Sequence, residues 1–556
     1  MQTLLRLWIS VILASCSLLA AAQNFTEILG RPTANSVTMS ILFDQKAEVY
    51  WEYGTLAGNY SMKTPTFTAA IDAAFEAVFT GLAPDTRYYY RTRYRNAGSS
   101  GEFLNGAEHT FHTQRSAGKT FSFAVEADPH LDTNTIPASY ALTLQNILNA
   151  GPDFLFDLGD TFMSEKLQAK TQENITARHL LYRPYFGATC HSVPLFLVLG
   201  NHEGENGWIS AGSPATLPVM AANTRKLYYP NPVPDGFYSG DSIPEPYVGL
   251  RQNYYAWEWG DALFIVLDPY WYTKSKPDWG WTLGGDQYAW FSKVISGSQA
   301  KFKFVFCHQL VGGNGNDARG GSEFAGLFEM GGKNSDLTWG FNTNRPGWEK
   351  PIHQLMIDCH ASVYFHGHDH FFGKQDLDGV VYQELPQPSS KNINNVNQAA
   401  QYGYVNGLFL PSRGYLLVTV GDTIAKVEYI KTFLPDEETP SRKNGDVAYS
   451  YILHASPSAV EEKIKSDQVY RLGQNYPNPF SSTTAIPYEI TQAGTVSIKV
   501  YDAPGREVST LVDQYQQPGK YITTFDPGTS LSASQIYYYR IIASDQSKTM
   551  KMICIQ

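Results

Sequence analysis

The sequence is short of charge. Asp, Glu, Lys and Arg together make up 17% of its 556 residues, against about a quarter in an ordinary soluble domain. Basic residues are outnumbered 42 to 52, for a formal net charge of −10. That excludes a dedicated nucleic-acid binder, because a phosphate backbone demands a basic face. Cysteine is scarce as well: Cys16, Cys190, Cys307, Cys359 and Cys554 are too few and too scattered for a disulfide scaffold or a Cys-based zinc site. An oxidising compartment would permit one bridge, and Cys307, at the end of an apolar run, reads as a buried free thiol. Beyond residue 22 no apolar run is long enough to span a bilayer. What is plentiful is aromatic, 14% within a hydrophobic share of 43%, which excludes extensive disorder and a collagen-like rod. Tyr, Asn, Ser, Thr and Gly fill the places that charge leaves, as in exported β-rich proteins. The length calls for several domains.

The first 22 residues combine Arg6, an apolar stretch from Leu7 to Leu19 and the small-residue exit Ala20-Ala21-Ala22. They read as a secretory signal peptide, cleaved after Ala22 and excluded from the fold. The rival is a lipoprotein signal with Cys16 lipidated; the apolar run continues past Cys16, which favours cleavage after Ala22. The acid is concentrated after it, with 34 basic and 46 acidic residues in 23–469.

Between residues 23 and 114, short alternating stretches (37–43, 48–52, 74–80, 87–94 and 109–112) are separated by Gly54, Gly58 and Pro84-Asp85. Period-two alternation with such punctuation predicts a β-sandwich without titratable clusters. From Tyr470 the same grammar returns, with strands expected at 485–490, 495–501, 521–525 and 536–542. A linker is expected at 115–119, and a last strand or two followed by a linker at 433–469.

Residues 120–432 carry the chemistry. Five short apolar runs each end in polar residues able to bind a metal. Phe121–Val125 precedes Asp128-Pro129-His130, Phe154–Leu158 precedes Gly159-Asp160, and Leu195–Leu199 precedes Gly200-Asn201-His202-Glu203. Phe302–Phe306 leads to His308, and Val363–Phe365 leads to His366-Gly367-His368-Asp369-His370. Buried strands look like this, and the loops beyond their carboxyl ends are where an open α/β sheet collects ligands. Helices are expected at 137–150 and 174–185. Imidazole, carboxylate and an amide oxygen suit Fe, Mn or Zn. Two such ions ~4 Å apart can clamp the attacking and leaving oxygens of a phosphoryl group.

The ordered set resembles the calcineurin-like metallophosphoesterase family over about residues 120–430. The resemblance implies two metal ions, with Asp128, His130 and His370 on the first, Asp160 bridging, and Asn201, His308 and His368 on the second. It gives His202 the protonation of the leaving oxygen, with Glu203 placed to orient it, and a water between the metals as nucleophile. A sandwich before the catalytic domain is the domain order of purple acid phosphatases, and Leu82-x-Pro84-x-Thr86-x-Tyr88 resembles a fibronectin type III strand entry. Two departures point to a non-purple branch: Met163 stands where those enzymes place an iron-binding Tyr, and His130 is present. The end of the chain, with Gln474-Asn475-Tyr476-Pro477-Asn478-Pro479-Phe480, resembles the type A sorting domain of type IX secretion; the rival is a carbohydrate-binding or adhesive β-module.

The fold expected is therefore multidomain: a fibronectin III-like β-sandwich, a central α/β sandwich of mixed sheets flanked by helices, and a small C-terminal β-sandwich. The function expected is a secreted or surface phosphoesterase acting on small phosphate esters, monoesters before diesters, and recognised by the type IX machinery. No nucleic-acid partner and no transmembrane segment are expected in the mature chain. The alternatives are a phosphodiesterase and, in another class, an adhesin with a decayed catalytic domain. Arg319, in a Gly-rich loop after His308, is either a phosphate contact or a solvated loop arginine, the latter preferred. Tyr270-Trp271-Tyr272 and Trp279-Gly280-Trp281 either wall the pocket or pack as an insertion, again the latter preferred. His366 is read as a neighbour of the ligands, while His191, His353, His360 and His454 stand outside the pattern.

Overall fold

The computed structural model describes residues 25–456, 469–475, 477–528, 535–544 and 546–555. The expected signal segment with Cys16, most of the expected second linker (457–468) and Tyr476 lie outside the described residues. The chain divides into two compact units between Ser456 and Pro457.

The first unit opens with a β-sandwich. Phe25–Gly30, Ser36–Phe43 and Phe75–Thr80 form one antiparallel sheet; Ala47–Gly54, Arg87–Asn96 and Leu104–His112 form the core of the other. Alternation decides the faces: Val49, Trp51 and Tyr53 point inward from one strand and pack with Phe79 and Phe111. The Tyr88 hydroxyl accepts the Ala83 N–H at 2.8 Å and pins the loop that enters its strand.

The sandwich is docked on the central body rather than separated from it. Ile28 shares a core with Tyr182 and Phe186 of the helix Gln172–Cys190. Arg183 of that helix, fully buried, donates to the Thr26 carbonyl (3.0 Å), the Ser40 carbonyl (3.1 Å) and the Tyr228 carbonyl (2.5 Å).

Two mixed sheets face each other in the central body. One runs Leu195–Leu197, Phe154–Asp157, Phe121–Glu126, Gly414–Val420, Ile424–Lys431, Val447–His454, with the first three strands parallel. The other places Ala262–Val266, Phe302–Phe306, Val363–His366 and Val380–Glu384 in parallel at its centre. Phenylalanines fill the space between them; Phe156 stacks on Phe306 with centroids 3.9 Å apart. Helices cover both outer faces: Pro137–Ala150 and Gln172–Cys190 over the first sheet, Gly285–Gly297 and Ile352–Asp358 over the second. Pro137 at the first turn and left-handed Gly151 at the end explain why the 137–150 helix falls where the sequence places it.

The second unit is a small β-sandwich of three and four strands around Ile486, Ile498, Val500, Tyr539 and Ile541. The Tyr539 hydroxyl donates to the Gly473 carbonyl (2.8 Å) and accepts the Asn475 N–H (3.0 Å), tying the start of the unit to its sheet. Cys190, Cys307, Cys359 and Cys554 are free thiols. Among the described residues no helix is long and apolar enough to cross a membrane.

Candidate metal centre

The parallel strands of both sheets end at one edge, and the loops beyond them are laced together. Asp128 N–H donates to the Gly159 carbonyl (2.9 Å) and Gly367 N–H to the His308 carbonyl (2.9 Å). There is no room for side chains at the crossings: a Cβ on Gly367 would come within 2.6 Å of Asp128 Oδ2, and one on Gly200 within 2.3 Å of Asp160 Oδ1. Asp128, His130, Asp160, His368 and His370 all adopt positive φ, from 50° to 78°, a left-handed conformation that non-glycine residues take at a cost. The turns hold it because it points these side chains at a common centre.

Two groups meet there. Asp128, His130 and His370 offer ligand atoms within 4.8 Å of one another, and so do Asp160, His308 and His368. The groups adjoin: His308 Nε2 is 3.3 Å from Asp160 Oδ2 and 3.8 Å from Asp128 Oδ1, and His130 Nε2 is 3.5 Å from Asp128 Oδ1 and 3.9 Å from Asp160 Oδ2. Asp128 Oδ1, His130 Nε2, Asn201 Oδ1 and His308 Nε2 are buried without a hydrogen-bond partner among the described residues. Unpaired buried polar atoms are costly. Clustered nitrogen and carboxylate donors of this kind fit metal ions and nothing apolar.

The outward sides of the rings are fixed. His308 Nδ1 lies 2.9 Å from the Leu158 carbonyl, and His368 Nε2 lies 2.6 Å from the Asp317 carbonyl. Each ring is thereby left one nitrogen for the centre, the usual way a protein sets an imidazole ligand. The charges compensate: burial works against an imidazolium at His308, but the Asp160 and Asp128 carboxylates outweigh it and push the ring up to about 10. Burial likewise works against ionising Asp128 and Asp160, yet facing imidazoles hold both well below the usual carboxylate range.

His202 sits at the rim, its Nε2 3.9 Å from Asp160 Oδ2 and 3.1 Å from the Asn201 amide nitrogen. Its other nitrogen does not meet Glu203, which corrects the expectation that Glu203 orients it. Glu203 is 2% exposed and points inward. Its carboxylate accepts the backbone N–H groups of Gly200 (2.5 Å), Asp160 (3.0 Å), Thr161 (2.6 Å) and Phe162 (3.2 Å). It staples the two loops together. The residue at His202 Nδ1 is Glu165, at 2.6 Å. No spacing rule betrays Glu165, because the short 3-10 turn Ser164–Lys166 that presents it follows left-handed Met163.

The centre opens into a cavity of about 580 Å³ lined in part by His130, Asp160, His202, His368, His370 and Arg319. Arg319 is three-quarters buried rather than solvated. The aromatic cluster stays out of the lining: Tyr270 and Trp281 pack against Leu283 and Leu310, and Trp271 against Val219. His366 faces Glu384 at 2.8 Å, and Glu384 accepts the Asp369 and His370 N–H groups, so the pair braces the loop between the ligands. His353 meets Tyr382 and Asp378 away from the centre, and His191 lies at the seam with the sandwich.

Two facing mixed sheets thus carry a metal-type donor cluster at their common edge, a metal-site α/β architecture. Residues 121–372 match the model of the calcineurin-like phosphoesterase family, and residues 474–556 match that of the secretion system C-terminal sorting domain. The central body is a calcineurin-like phosphoesterase domain, and the chain is a metal-dependent phosphoric ester hydrolase bound for the cell surface or beyond. No curated protein matches the chain. Among solved structures it is similar to PhoD, at 16% identity and a TM-score of 0.56, covering 78% of this chain and 92% of that one. It is also similar to the purple acid phosphatase PPD1 from yellow lupin (Lupinus luteus) seeds, at 13% identity and a TM-score of 0.50, covering 77% and 73%. At these identities the likeness is one of fold.

Proposed function

We propose that the chain is a dinuclear phosphoesterase that hydrolyses small phosphate esters, monoesters before diesters. Asp128, His130 and His370 would hold one ion and Asn201, His308 and His368 the other, with Asp160, which lies within 3.9 Å of a histidine of each group, shared between them. The observation that carries the reading is the set of buried, unpartnered ligand atoms on Asp128, His130 and His308. They lie within 3.9 Å of one another or of Asp160, beside a cavity that His130 and Asp160 line. Ions bound there supply Lewis acidity toward the phosphoryl oxygens and lower the pKa of water.

The rest is the work of the chain. Glu165 fixes the His202 ring, leaving Nε2 toward the cavity to deliver a proton to the departing alkoxide. Glu203 and Glu384 hold the loops so that the ligand atoms need not reorganise during turnover. The sandwich at 23–114 is proposed as a fibronectin type III-like support, and the unit from 470 to 556 as the address read by the type IX machinery.

Metal analysis of the purified chain, with hydrolysis of p-nitrophenyl phosphate and of its bis-ester, tests the reading. Bound metal with faster monoester turnover is expected. Faster turnover of the bis-ester would make it a diesterase, and no metal with no hydrolysis would favour an adhesin.

A further inference from the structure

The Gly-rich loop that follows His308 is folded back onto the metal centre. Its Asp317 carbonyl meets the outer nitrogen of His368, and two residues later Arg319 reaches the same histidine from above, Nη1 donating to the His368 carbonyl at 2.9 Å. Gly320, at φ +97°, makes the reversal: a Cβ there would sit 2.4 Å from the Phe324 ring. The Arg319 guanidinium is held on two further sides. Nη1 also donates to Asp369 Oδ1 (2.9 Å), and the Tyr402 ring lies under the group with its centroid 4.4 Å away.

Asp369 is itself held. Its Oδ2 accepts the Gly320 N–H (2.8 Å) and the Tyr404 hydroxyl (2.9 Å), and it is 2% exposed. It is also the residue between His368 and His370, so one carboxylate registers the arginine against a ligand of each metal group. Only Nη1 of Arg319 is committed. Nε and Nη2 have no protein hydrogen bond among the described residues, and Arg319 lines the cavity beside His368 and Asp160.

From this geometry we infer that Arg319 is the residue that binds the phosphate group of the substrate, and that Asp369 is its positioning residue. A guanidinium presents Nε and Nη2 as a planar fork matched to two oxygens of one phosphate. Here the fork is pre-oriented by a buried carboxylate and an aromatic face, so little side-chain entropy is lost on binding. A monoester offers three non-bridging oxygens and a dianionic charge, whereas a diester gives one of those oxygens to a second substituent. Both esters leave two oxygens for the fork, but the monoester presents them on a dianion and the diester on a monoanion, so the charge-assisted contact favours monoesters. The inference rests on the phosphoesterase reading above and deepens it.

The test uses the full, metal-loaded chain and two readouts. The first is calorimetric binding of inorganic phosphate. The second is steady-state hydrolysis of p-nitrophenyl phosphate and its bis-ester, with metal content measured on every variant. Arg319→Ala should weaken phosphate binding and raise the monoester KM by about 10- to 100-fold, the range for a hydrogen bond to a charged group. Metal content should be unchanged and the bis-ester affected much less. Arg319→Lys should recover little, because an ammonium has no fork. Asp369→Asn should give a smaller KM effect of the same selectivity, which a merely structural role would not produce. Unaltered phosphate affinity in Arg319→Ala, equal losses on both esters, or full rescue by Lys would overturn the inference. A wild-type chain that binds phosphate through Arg319 yet hydrolyses neither ester would instead overturn the enzymatic reading alone.

Discussion

His202 Nδ1 lies 2.6 Å from Glu165 Oε2, a contact that joins two loops 37 residues apart in sequence and turns the other ring nitrogen toward the cavity. Burial works against an ionised Glu165, but the His202 hydrogen bond and charge outweigh it and hold the carboxyl below its usual range. His202→Ala should therefore keep its metal and lose about 100- to 10,000-fold in kcat, the span of general-acid assistance. Glu165→Gln should lose less, because the ring keeps Nε2 toward the cavity but loses the carboxylate that orients it. Loss of metal from His202→Ala would show the residue to be a ligand.

Glu203 predicts the opposite phenotype. Its two oxygens accept four backbone N–H groups, and Glu203→Gln would place an amide N–H against some of them. Mispaired buried donors cost about 1–3 kcal/mol each, so thermal melts should show a clear fall in Tm. Metal affinity should drop with it, since Asp160 and Asn201 flank the staple. Reduced kcat at unchanged Tm would return Glu203 to a direct role in catalysis.

Asp160 lies within reach of both metal groups: Oδ2 is 3.3 Å from His308 Nε2 and 3.9 Å from His130 Nε2. Its Oδ1 is taken by the His202 N–H at 2.8 Å. Asp160→Ala should lose metal from both groups at once, measured by elemental analysis, whereas His370→Ala should empty one group preferentially. Retention of both ions in Asp160→Ala would rule out the bridge.

How much of this the sequence reveals depends on whether a residue acts through its own strand end. Asp128, His130, Asp160, His308, His368 and His370 each follow a Phe-rich buried strand, so local pattern is enough to bring them to one edge. The 137–150 helix carries its own punctuation in Pro137 and Gly151. Glu165, Asp369 and Glu384 are different. They act by holding another loop, and which loop lies beside them is a property of the packed sheets rather than of spacing. Glu203 misled for the same reason: its neighbour in sequence is His202, but its partners are N–H groups of the Asp160 loop. The strand Phe25–Gly30 goes unread because it alternates poorly; its residues bury against both the sandwich and the helix Gln172–Cys190.

Met163 lines the cavity, and the sequence resemblance to purple acid phosphatases implies that it replaces an iron-binding tyrosine. The metal-loaded protein should accordingly lack a strong visible charge-transfer band, as read by absorption spectroscopy after loading with ferric iron. An intense band would mean that a tyrosine reaches the metal by another route.

The seam between the sandwich and the central body should be acid-sensitive. His109 of the sandwich stacks on His191 at the end of the helix Gln172–Cys190, ring centroids 3.8 Å apart. Burial, reinforced by the neighbouring ring, drops His109 to about 3, and burial drops His191 to about 4. In the unfolded chain both titrate near 6.5. From about pH 6.5 down to 4 the unfolded state thus binds more protons than the folded one, and stability falls as pH falls. Glu27, 3.9 Å from His109 and beneath Trp51 and Thr92, pulls the other way: burial, against the hydrogen bonds from Thr92 and Trp51, lifts it to about 7. Its contribution is complete below pH 4.5 and is lost as pH rises through 7. At this seam two histidines against one carboxyl leave a net loss toward acid, and the three groups together stabilise most at about pH 7. Thermal melts between pH 4 and 8 should show this, and His191→Phe, which keeps the stack without the titrating group, should remove about one proton from the slope below pH 6.5. Identical slopes in the two proteins would show that acid unfolding starts elsewhere.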